Sequence, residues 1–255
     1  MKGNLMIKFF RKMRQNLLME NKTGKYFKYA IGEIVLVVIG ILIALQVNNW
    51  NEIRKFNKEG VKIMQELKSE FLDNRIVLEE RIKYLDNANN CVRTVLGFMN
   101  KESVEIQQTN IDSIINKSLG YGNYNPANST ILELISSGKL NLIKNNSLKK
   151  NLFKWLQILE DSDEDFKNQD LQTATLLIPY LYKNISMKNL NTLNTYFKNK
   201  EVEKKSELFT GDYSKVFHDL EFENLYQDKL LWNTTMLNHY KDLDTLALEI
   251  INQTN

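Results

Sequence analysis

The sequence is poor in the residues that form disulfides, metal sites and tight turns. Its 255 residues include one cysteine, two histidines, two prolines and ten glycines. A single cysteine excludes an intrachain disulfide, and because Cys91 lies beside Val92 and Val95 we expect it to be a small core residue. His218 and His239 have no second histidine at metal-ligand spacing. We therefore expect neither a metal nor a cofactor.

The sequence motifs of common enzymes are also missing. The chain has no glycine-rich phosphate loop, no Gly-x-Ser-x-Gly motif and no zincin motif. The acidic run at 160–165 lacks the spaced ligands and the central glycine of a calcium-binding loop. On a helix its members point around more than half of the circumference, which is typical of a solvated face. The sequence thus predicts a protein that is not an enzyme.

The scarcity of proline and glycine predicts an all-α protein. Apolar stripes at helical spacing predict three long helices. The first ends at about Leu96, the second runs over 147–182 and the third runs over 212–251. We expect an N-terminal amphipathic segment and a single transmembrane helix to continue into an elongated antiparallel bundle of these helices. The turn-rich run at 120–126 is expected to link two helical layers.

Several details of the bundle follow from the same patterns. The first long helix is predicted to bury Met64, Leu67, Phe71, Leu78, Ile82, Leu85, Val92, Leu96 and Met99. The third is predicted to bury Phe222, Leu225, Trp232, Met236, Leu243, Leu246 and Ile250. Interruptions at Asn74 and Ala88 argue against a strict coiled coil. Thr130 and Glu133 form a capping box, and Pro179 is expected to kink the second long helix.

One segment is long and apolar enough to cross a membrane. Ile34 to Leu45 is uninterrupted apolar sequence, and the nineteen residues of 29–47 include only Glu33 and Gln46 as polar side chains. Nineteen helical residues cover about 28 Å, which matches the hydrocarbon thickness of a bilayer. The basic residues before this segment and Trp50 after it favour a membrane span over a core helix. Because no small-x-small cleavage site follows, we expect an uncleaved signal anchor.

The charge distribution predicts how the chain is oriented in the membrane. The formal net charge is +3, but residues 1–28 carry eight basic side chains against one acidic side chain. Because positive residues beside a span stay on the cytoplasmic side, we place 1–28 in the cytoplasm, 29–49 in the bacterial inner membrane and 50–255 in the periplasm. A nucleic-acid reader would carry its positive field on the folded domain, so we expect no nucleic-acid partner.

The N-terminal segment combines apolar and basic residues at helical spacing, which is typical of an amphipathic helix on a membrane surface. Its basic side chains would meet the anionic lipids of the bilayer, at about 1 kcal/mol each near the surface. The candidate membrane-surface residues are Lys8, Phe9, Phe10, Arg11, Lys12 and Arg14. A flexible positive tail that only sets topology is an equally good interpretation.

Small residues within the span suggest a packing face. Gly40 and Ala44 form a small-xxx-small pair, and Glu33 and Val37 lie close to the same side of the helix. Small residues at this spacing let two helices approach closely, although isolated pairs also occur by chance. A homodimer that packs through Glu33, Val37, Gly40 and Ala44 is therefore one hypothesis.

Four segments of the chain resemble a known family. They read MIKFFRKMRQNLL at 6–18, YAIGEIVLVVIGILIALQVNNWNE at 29–52, STILELISSGKLNLIKNNSLKKNL at 129–152 and LEFENL at 220–225. Together they are similar to domain-of-unknown-function family 6090, which contains small single-pass membrane proteins of flavobacteria and their relatives. The resemblance implies this topology but no activity, substrate or catalytic residue. It also implies that Met6 is the usual start, which would make 1–5 an extension.

Two kinds of function fit these predictions. The preferred hypothesis is a membrane-anchored, non-enzymatic scaffold or protein-interaction module, with the lipid bilayer and an unknown protein as partners. The alternative is a periplasmic small-ligand sensor or transport accessory, with a pocket lined by Tyr121, Tyr124, Trp155 and Trp232. Since only 28 residues are predicted to lie inside the cell, such a sensor would have to act through a partner protein.

Overall fold

A computed structural model describes residues 11–12, 15, 23–101, 110–191, 205–209 and 211–254. Every regular element in these ranges is helical, which confirms the all-α prediction. The chain divides into two compact units, Met1–Val61 and Lys62–Asn255. The first unit contains the apolar segment, and the second contains the helical bundle.

Ten helical segments account for the regular structure of the described residues. They are α1 (Thr23–Leu96), α2 (Ile111–Ser118), α3 (Ser129–Ser136), a 3-10 turn (Lys139–Leu142), α4 (Asn146–Gln172), a π turn (Thr173–Leu177), α5 (Ile178–Asn184), α6 (Met187–Asn191), α7 (Ser214–Phe217) and α8 (Leu220–Gln253). The predicted extents of the first two long helices are confirmed, apart from the π turn. The third begins later than predicted because Asp219 caps it, accepting a hydrogen bond from the N–H of Glu221 at 2.9 Å.

In the second unit, α8 runs antiparallel to α1. The side chain of Arg75 donates to Asp244 at 2.7 Å, and Asn89, further along α1, donates to Thr234 at 3.3 Å. Residue numbers thus rise along α1 while they fall along α8. This arrangement agrees with the predicted antiparallel packing.

α8 is also antiparallel to α4, so α1 and α4 run in the same direction. Asn151 near the start of α4 donates to Glu249 near the end of α8 at 3.1 Å. Gln172 at the end of α4 donates to Asp228 near the start of α8 at 2.6 Å. Two parallel helices in one bundle need a connection that takes the chain back to the other end.

Residues 119–128 form this return connection. Near its end, the Asn74 side-chain amide exchanges hydrogen bonds of 2.7 and 2.9 Å with the backbone of Ala127. Near its beginning, a Cβ added at Gly120 would lie 3.1 Å from Cβ of Ala88. The connection therefore follows α1 in the opposite direction, and the predicted turn-rich link is an irregular segment packed along the bundle.

The second unit has an apolar core of its own. Leu67, Phe71 and Leu78 of α1 are fully buried, which confirms these members of the predicted stripe. Phe71 meets Trp155 of α4 edge to face, with ring centroids 4.8 Å apart. Each large apolar side chain buried in this way contributes about 1.5–3 kcal/mol to stability.

The buried face of α8 differs from the predicted one at two positions. Leu225 and Trp232 are only half-buried, whereas their neighbours Tyr226 and Asn233 are fully buried. Lys229 lies between these two on the same face and is also buried. The prediction ranked residues by hydrophobicity and so missed the buried polar side chains of this face, although Leu225 does pack against the core.

The π turn shows how the second long helix accommodates Pro179. Proline has no N–H, and its ring would clash with the carbonyl one turn earlier in a regular helix. The N–H of Ile178 bonds to the carbonyl of Thr173, five residues before it, which widens the turn. The π turn ends two residues before Pro179, and the predicted kink of the helix stays a prediction.

Candidate functional site

The first unit presents an uncovered apolar helix surface. Twelve Val, Leu and Ile side chains from Ile31 to Val47 are each 46–66% exposed. By length and composition, the helix that carries them is apolar enough to cross a membrane. A signal sequence passes the same test, whereas the core helix of a soluble protein would be mostly buried. These residues, 31–47, are called the apolar stretch.

The predicted packing face lies open on the apolar stretch. Val37, Gly40 and Ala44 are exposed, and Glu33 on the same side is partly buried. A Cβ added at Gly40 would meet nothing within 4 Å apart from the backbone of its own helix. A second helix therefore has room to approach, and the homodimer stays a prediction.

Both sides of the apolar stretch carry side chains suited to a membrane interface. Trp50 is 62% exposed, and the guanidinium carbon of Arg54 lies 5.8 Å from its ring centroid. On the N-terminal side, Arg11 and Lys12 are helical and exposed. The other predicted membrane-surface residues, Lys8, Phe9, Phe10 and Arg14, lie outside the described residues. The surface role of this group stays a prediction.

The four aromatic residues of the predicted pocket fall into two pairs. Tyr124 and Trp155 are 4% and 0% exposed, with ring centroids 6.4 Å apart. Their polar atoms donate internal hydrogen bonds of 2.9 and 2.8 Å, so both residues belong to the core. Tyr121 and Trp232 form the second pair and lie around Lys229.

Lys229 of α8 is buried in the second unit. Its Nζ lies 4.8 Å from the centroid of the Tyr121 ring and makes no hydrogen bond to any described residue. Burial lowers the pKa of Lys229 to about 8, because the ammonium loses its hydration. Fully buried lysines are rare unless they are paired, so this residue is the most unusual titratable group in the described part of the bundle.

A small cavity borders Lys229. Its volume is about 10 Å³, roughly the space for one water molecule. The other lining residues are Gln169, Gln172, Thr173, Leu177, Leu225 and Trp232. Tyr121 and Trp232 thus both lie near Lys229, where the space is the size of a water molecule rather than of a ligand.

Further polar side chains lie beside Lys229 in the core. Gln169 Nε2 donates to Asn233 Oδ1 at 2.6 Å. The Nδ2 of Asn233 is buried and has no partner among the described residues. Gln169, Lys229 and Asn233 are called the polar layer. The sequence carried a signal for it, since Lys229 and Asn233 continue the helical spacing of Phe222 and Tyr226.

An open groove of about 480 Å³ lies between α1 and the start of α3. Its lining residues are Glu66, Ser69, Glu70, Asp73, Ala127, Ser129, Thr130 and Glu133. Glu70 accepts hydrogen bonds from the N–H and the hydroxyl of Thr130 at 3.1 and 3.0 Å, and so caps α3 from another helix. The predicted capping box is wrong, because Asn128 precedes the helix and Thr130 bonds to Glu70 instead. Among the described residues, no three potential ligands are grouped to hold a metal ion.

The histidine and acidic candidates have local partners. His239 Nε2 lies 3.0 Å from Asp165, and Asp163 pairs with Lys167 at 2.6 Å. The acidic run therefore makes contacts on and beside α4. His218 is exposed, and Cys91 is partly buried.

Comparison with protein families supports the resemblance found in the sequence. A family model described as "Family of unknown function (DUF6090)" matches residues 33–158. No curated protein and no solved structure matches the chain. The matched region contains most of α1, the return connection and the first half of α4. Through residues 33–158, the chain is therefore similar to this family of unknown function.

Proposed function

We propose that the chain is a membrane-anchored, non-enzymatic scaffold or interaction module. In this proposal the apolar stretch crosses a bilayer, and the second unit binds another protein. The observation that carries the proposal is the exposure of twelve Val, Leu and Ile side chains in the apolar stretch. The second unit, by contrast, buries most of its large apolar side chains in a core of its own.

Leaving the apolar stretch in water would be costly. Full burial of one Val, Leu or Ile side chain contributes about 1.5–3 kcal/mol, and these twelve side chains are roughly half exposed. The cost of their exposure is therefore on the order of 10–20 kcal/mol, comparable with the stability of a whole domain. A hydrocarbon environment removes this cost, and a helix satisfies its own backbone there.

The charges on both sides of the apolar stretch support the proposed orientation, with the N-terminus in the cytoplasm and 50–255 in the periplasm. Residues 1–28 carry eight basic side chains, and such residues are retained inside. Arg54 and Lys55 follow the stretch on the other side, but Lys55 pairs with Glu52 at 3.3 Å. The positive charge is therefore concentrated on the N-terminal side of the apolar stretch. The membrane that we propose for this topology is the bacterial inner membrane.

Substitutions in the apolar stretch test the anchor. An Ile39→Arg, Leu42→Arg double variant should leave the membrane fraction, because each arginine near the centre of a span costs about 2.5–3.5 kcal/mol. Leu72→Arg is the matched control, since Leu72 is also an exposed residue of α1 but lies in the second unit. We expect the control to stay with membranes after a carbonate wash. If the double variant also stayed in the membrane fraction, the proposal that the apolar stretch crosses the bilayer would be wrong.

Cysteine labelling tests the orientation. In a Cys91→Ser background, Gln15→Cys and Lys154→Cys each introduce one exposed thiol. A membrane-impermeant maleimide added to intact spheroplasts should label Lys154→Cys, and it should label Gln15→Cys only after permeabilisation. The reverse pattern would show that the orientation is wrong, without affecting the anchor itself.

The proposed interaction role draws support from exposed apolar side chains on the second unit. Leu72 and Ile76 lie one turn apart on α1 and are 45% and 61% exposed. A photo-crosslinking residue at position 76 should give a discrete adduct with another protein in intact cells, whereas position 154 should not. Failure to form an adduct at position 76 would contradict a partner on this face. The alternative role, a ligand sensor or transport accessory, draws no support from the cavity beside Lys229, because about 10 Å³ is too small for an organic ligand.

A further inference from the structure

The ammonium group of Lys229 has no counter-charge among the described residues. Lys229 is 3% exposed, and its Nζ makes neither a hydrogen bond nor an ion pair with a described residue. A buried ammonium without a counter-charge costs several kcal/mol. An apolar residue at this position would avoid the cost, so the lysine requires an explanation beyond packing.

The charged and titratable groups around Lys229 are already engaged. Asp170 accepts a hydrogen bond from Tyr121 Oη at 2.7 Å, and Asp228 accepts one from Gln172 at 2.6 Å. Burial, helped by Asp170, raises the pKa of Tyr121 to about 12, so its ring stays neutral. The face of the Tyr121 ring attracts the Lys229 ammonium, but more weakly than a carboxylate would attract it.

The polar layer contains more donors than acceptors. Lys229 Nζ and Asn233 Nδ2 are both buried donors without a described partner, and they lie one helical turn apart on α8. Gln169 connects the two sites, because it lines the cavity beside Lys229 and donates to Asn233. An acceptor in the cavity would therefore give Lys229 Nζ a partner, whereas Asn233 does not line the cavity and is linked to it only through Gln169.

The cavity beside Lys229 limits the size of that acceptor. About 10 Å³ leaves room for one small particle, such as a water molecule or a monatomic ion, but not for the several heavy atoms of a carboxylate or phosphate. Gln169, Gln172 and Thr173 give the wall some polarity, and the remaining residues are apolar. A water molecule would supply a hydrogen bond, but only an anion would also compensate the charge.

We propose that this cavity binds one monatomic anion, a halide such as chloride, with Lys229 Nζ as the principal hydrogen-bond donor. Pairing of opposite charges is strong in a core of low dielectric constant, so the halide stabilises the folded chain. The proposal does not depend on the membrane anchor, because all residues involved belong to the second unit.

Thermal unfolding of the full-length chain in a mild detergent tests the proposal. The midpoint is measured at neutral pH in sodium chloride, sodium bromide or sodium gluconate of equal ionic strength. A ligand that binds only the folded state raises the midpoint, and we expect about 3 °C or more once the halide reaches roughly ten times its dissociation constant. No rise above gluconate would overturn the proposal and leave a water molecule as the occupant.

Two variants separate specific binding from a general salt effect. Lys229→Met removes the charge and should abolish the difference between halide and gluconate. Lys241→Met, at an exposed lysine of the same helix, should keep it. Wild type should also lose the difference above about pH 10, where Lys229 is neutral. The site would be disproved if halide raised the unfolding midpoint of Lys229→Met as much as that of wild type. It would also be disproved if the rise in wild type did not change with pH.

Discussion

Replacing Lys229 by methionine should stabilise the protein at neutral pH, although the substitution removes a buried side chain of the core. Because burial removes the hydration of the ammonium, the pKa of Lys229 is lowered to about 8. Methionine is unbranched, has nearly the same length and fills irregular space well. It therefore keeps most of the packing of the lysine stem and removes the charge.

The size and the pH dependence of this effect follow from the two pKa values. The pKa of Lys229 is about 8 in the folded chain, and the ordinary value is 10.5. At 1.36 kcal/mol per pKa unit, the charge destabilises the folded state by about 3 kcal/mol, as an order of magnitude. The unfolded chain holds the proton more tightly, so the destabilisation is complete below pH 8 and is lost as the pH rises through 10.5.

Urea unfolding of the full-length chain in detergent, followed by circular dichroism, measures the effect. Gluconate serves as the only anion, so that halide binding does not contribute. We expect Lys229→Met to exceed wild type by about 3 kcal/mol at pH 7 and by less than about 1 kcal/mol at pH 10.5. Lys241→Met should stay within about 0.5 kcal/mol of wild type at both values. A Lys229→Met variant that is equally less stable at both values would refute the reasoning, because the lysine would then contribute through packing and not through its charge.

Two further substitutions probe the return connection by the same assay. Asn74→Ala should destabilise the chain by about 1–3 kcal/mol, because the backbone of Ala127 loses two hydrogen bonds, and the exposed Asn90→Ala should have almost no effect. Gly120→Ala should cost about 1–3 kcal/mol, because the added Cβ would lie 3.1 Å from Cβ of Ala88. Gly122→Ala should cost less, since its Cβ meets only the flexible end of Arg81. Equal losses at the two glycines would contradict the close packing inferred at Gly120.

The long helices could be predicted from the sequence because their buried faces repeat at helical spacing. Leu67, Phe71 and Leu78 follow this period, and all three are buried. The return connection could not be predicted in the same way, since an irregular segment has no period. Its contacts on α1 nevertheless left a signal, because the stripe is interrupted at Asn74 and Ala88, and both of these residues meet the connection.

The buried face of α8 was harder to predict because apolar residues occur on two neighbouring faces. Hydrophobicity favours Leu225 and Trp232, yet the structure buries Tyr226 and Asn233. The choice depends on partners from distant parts of the sequence. Tyr226 Oη, for example, lies 3.0 Å from the hydroxyl of Ser118, which a pattern within α8 cannot reveal. Lys229 was missed for another reason: it continues the helical spacing of Phe222 and Tyr226, but a ranking by hydrophobicity leaves a lysine out.

A core built from the matched region 33–158 alone would remain open. The ring centroid of Tyr240 on α8 lies 5.9 Å from that of Tyr124, and its hydroxyl donates to the carbonyl of Gly122 at 2.8 Å. Without α8, the buried aromatic rings and the return connection would be exposed to water. The matched region therefore needs an amphipathic helix in the place of α8 to close its core, and any helix that keeps the apolar period could fill that place. Lys229 is not required by that period, so the helix is what the core of this chain needs and the lysine is what the proposed halide site adds.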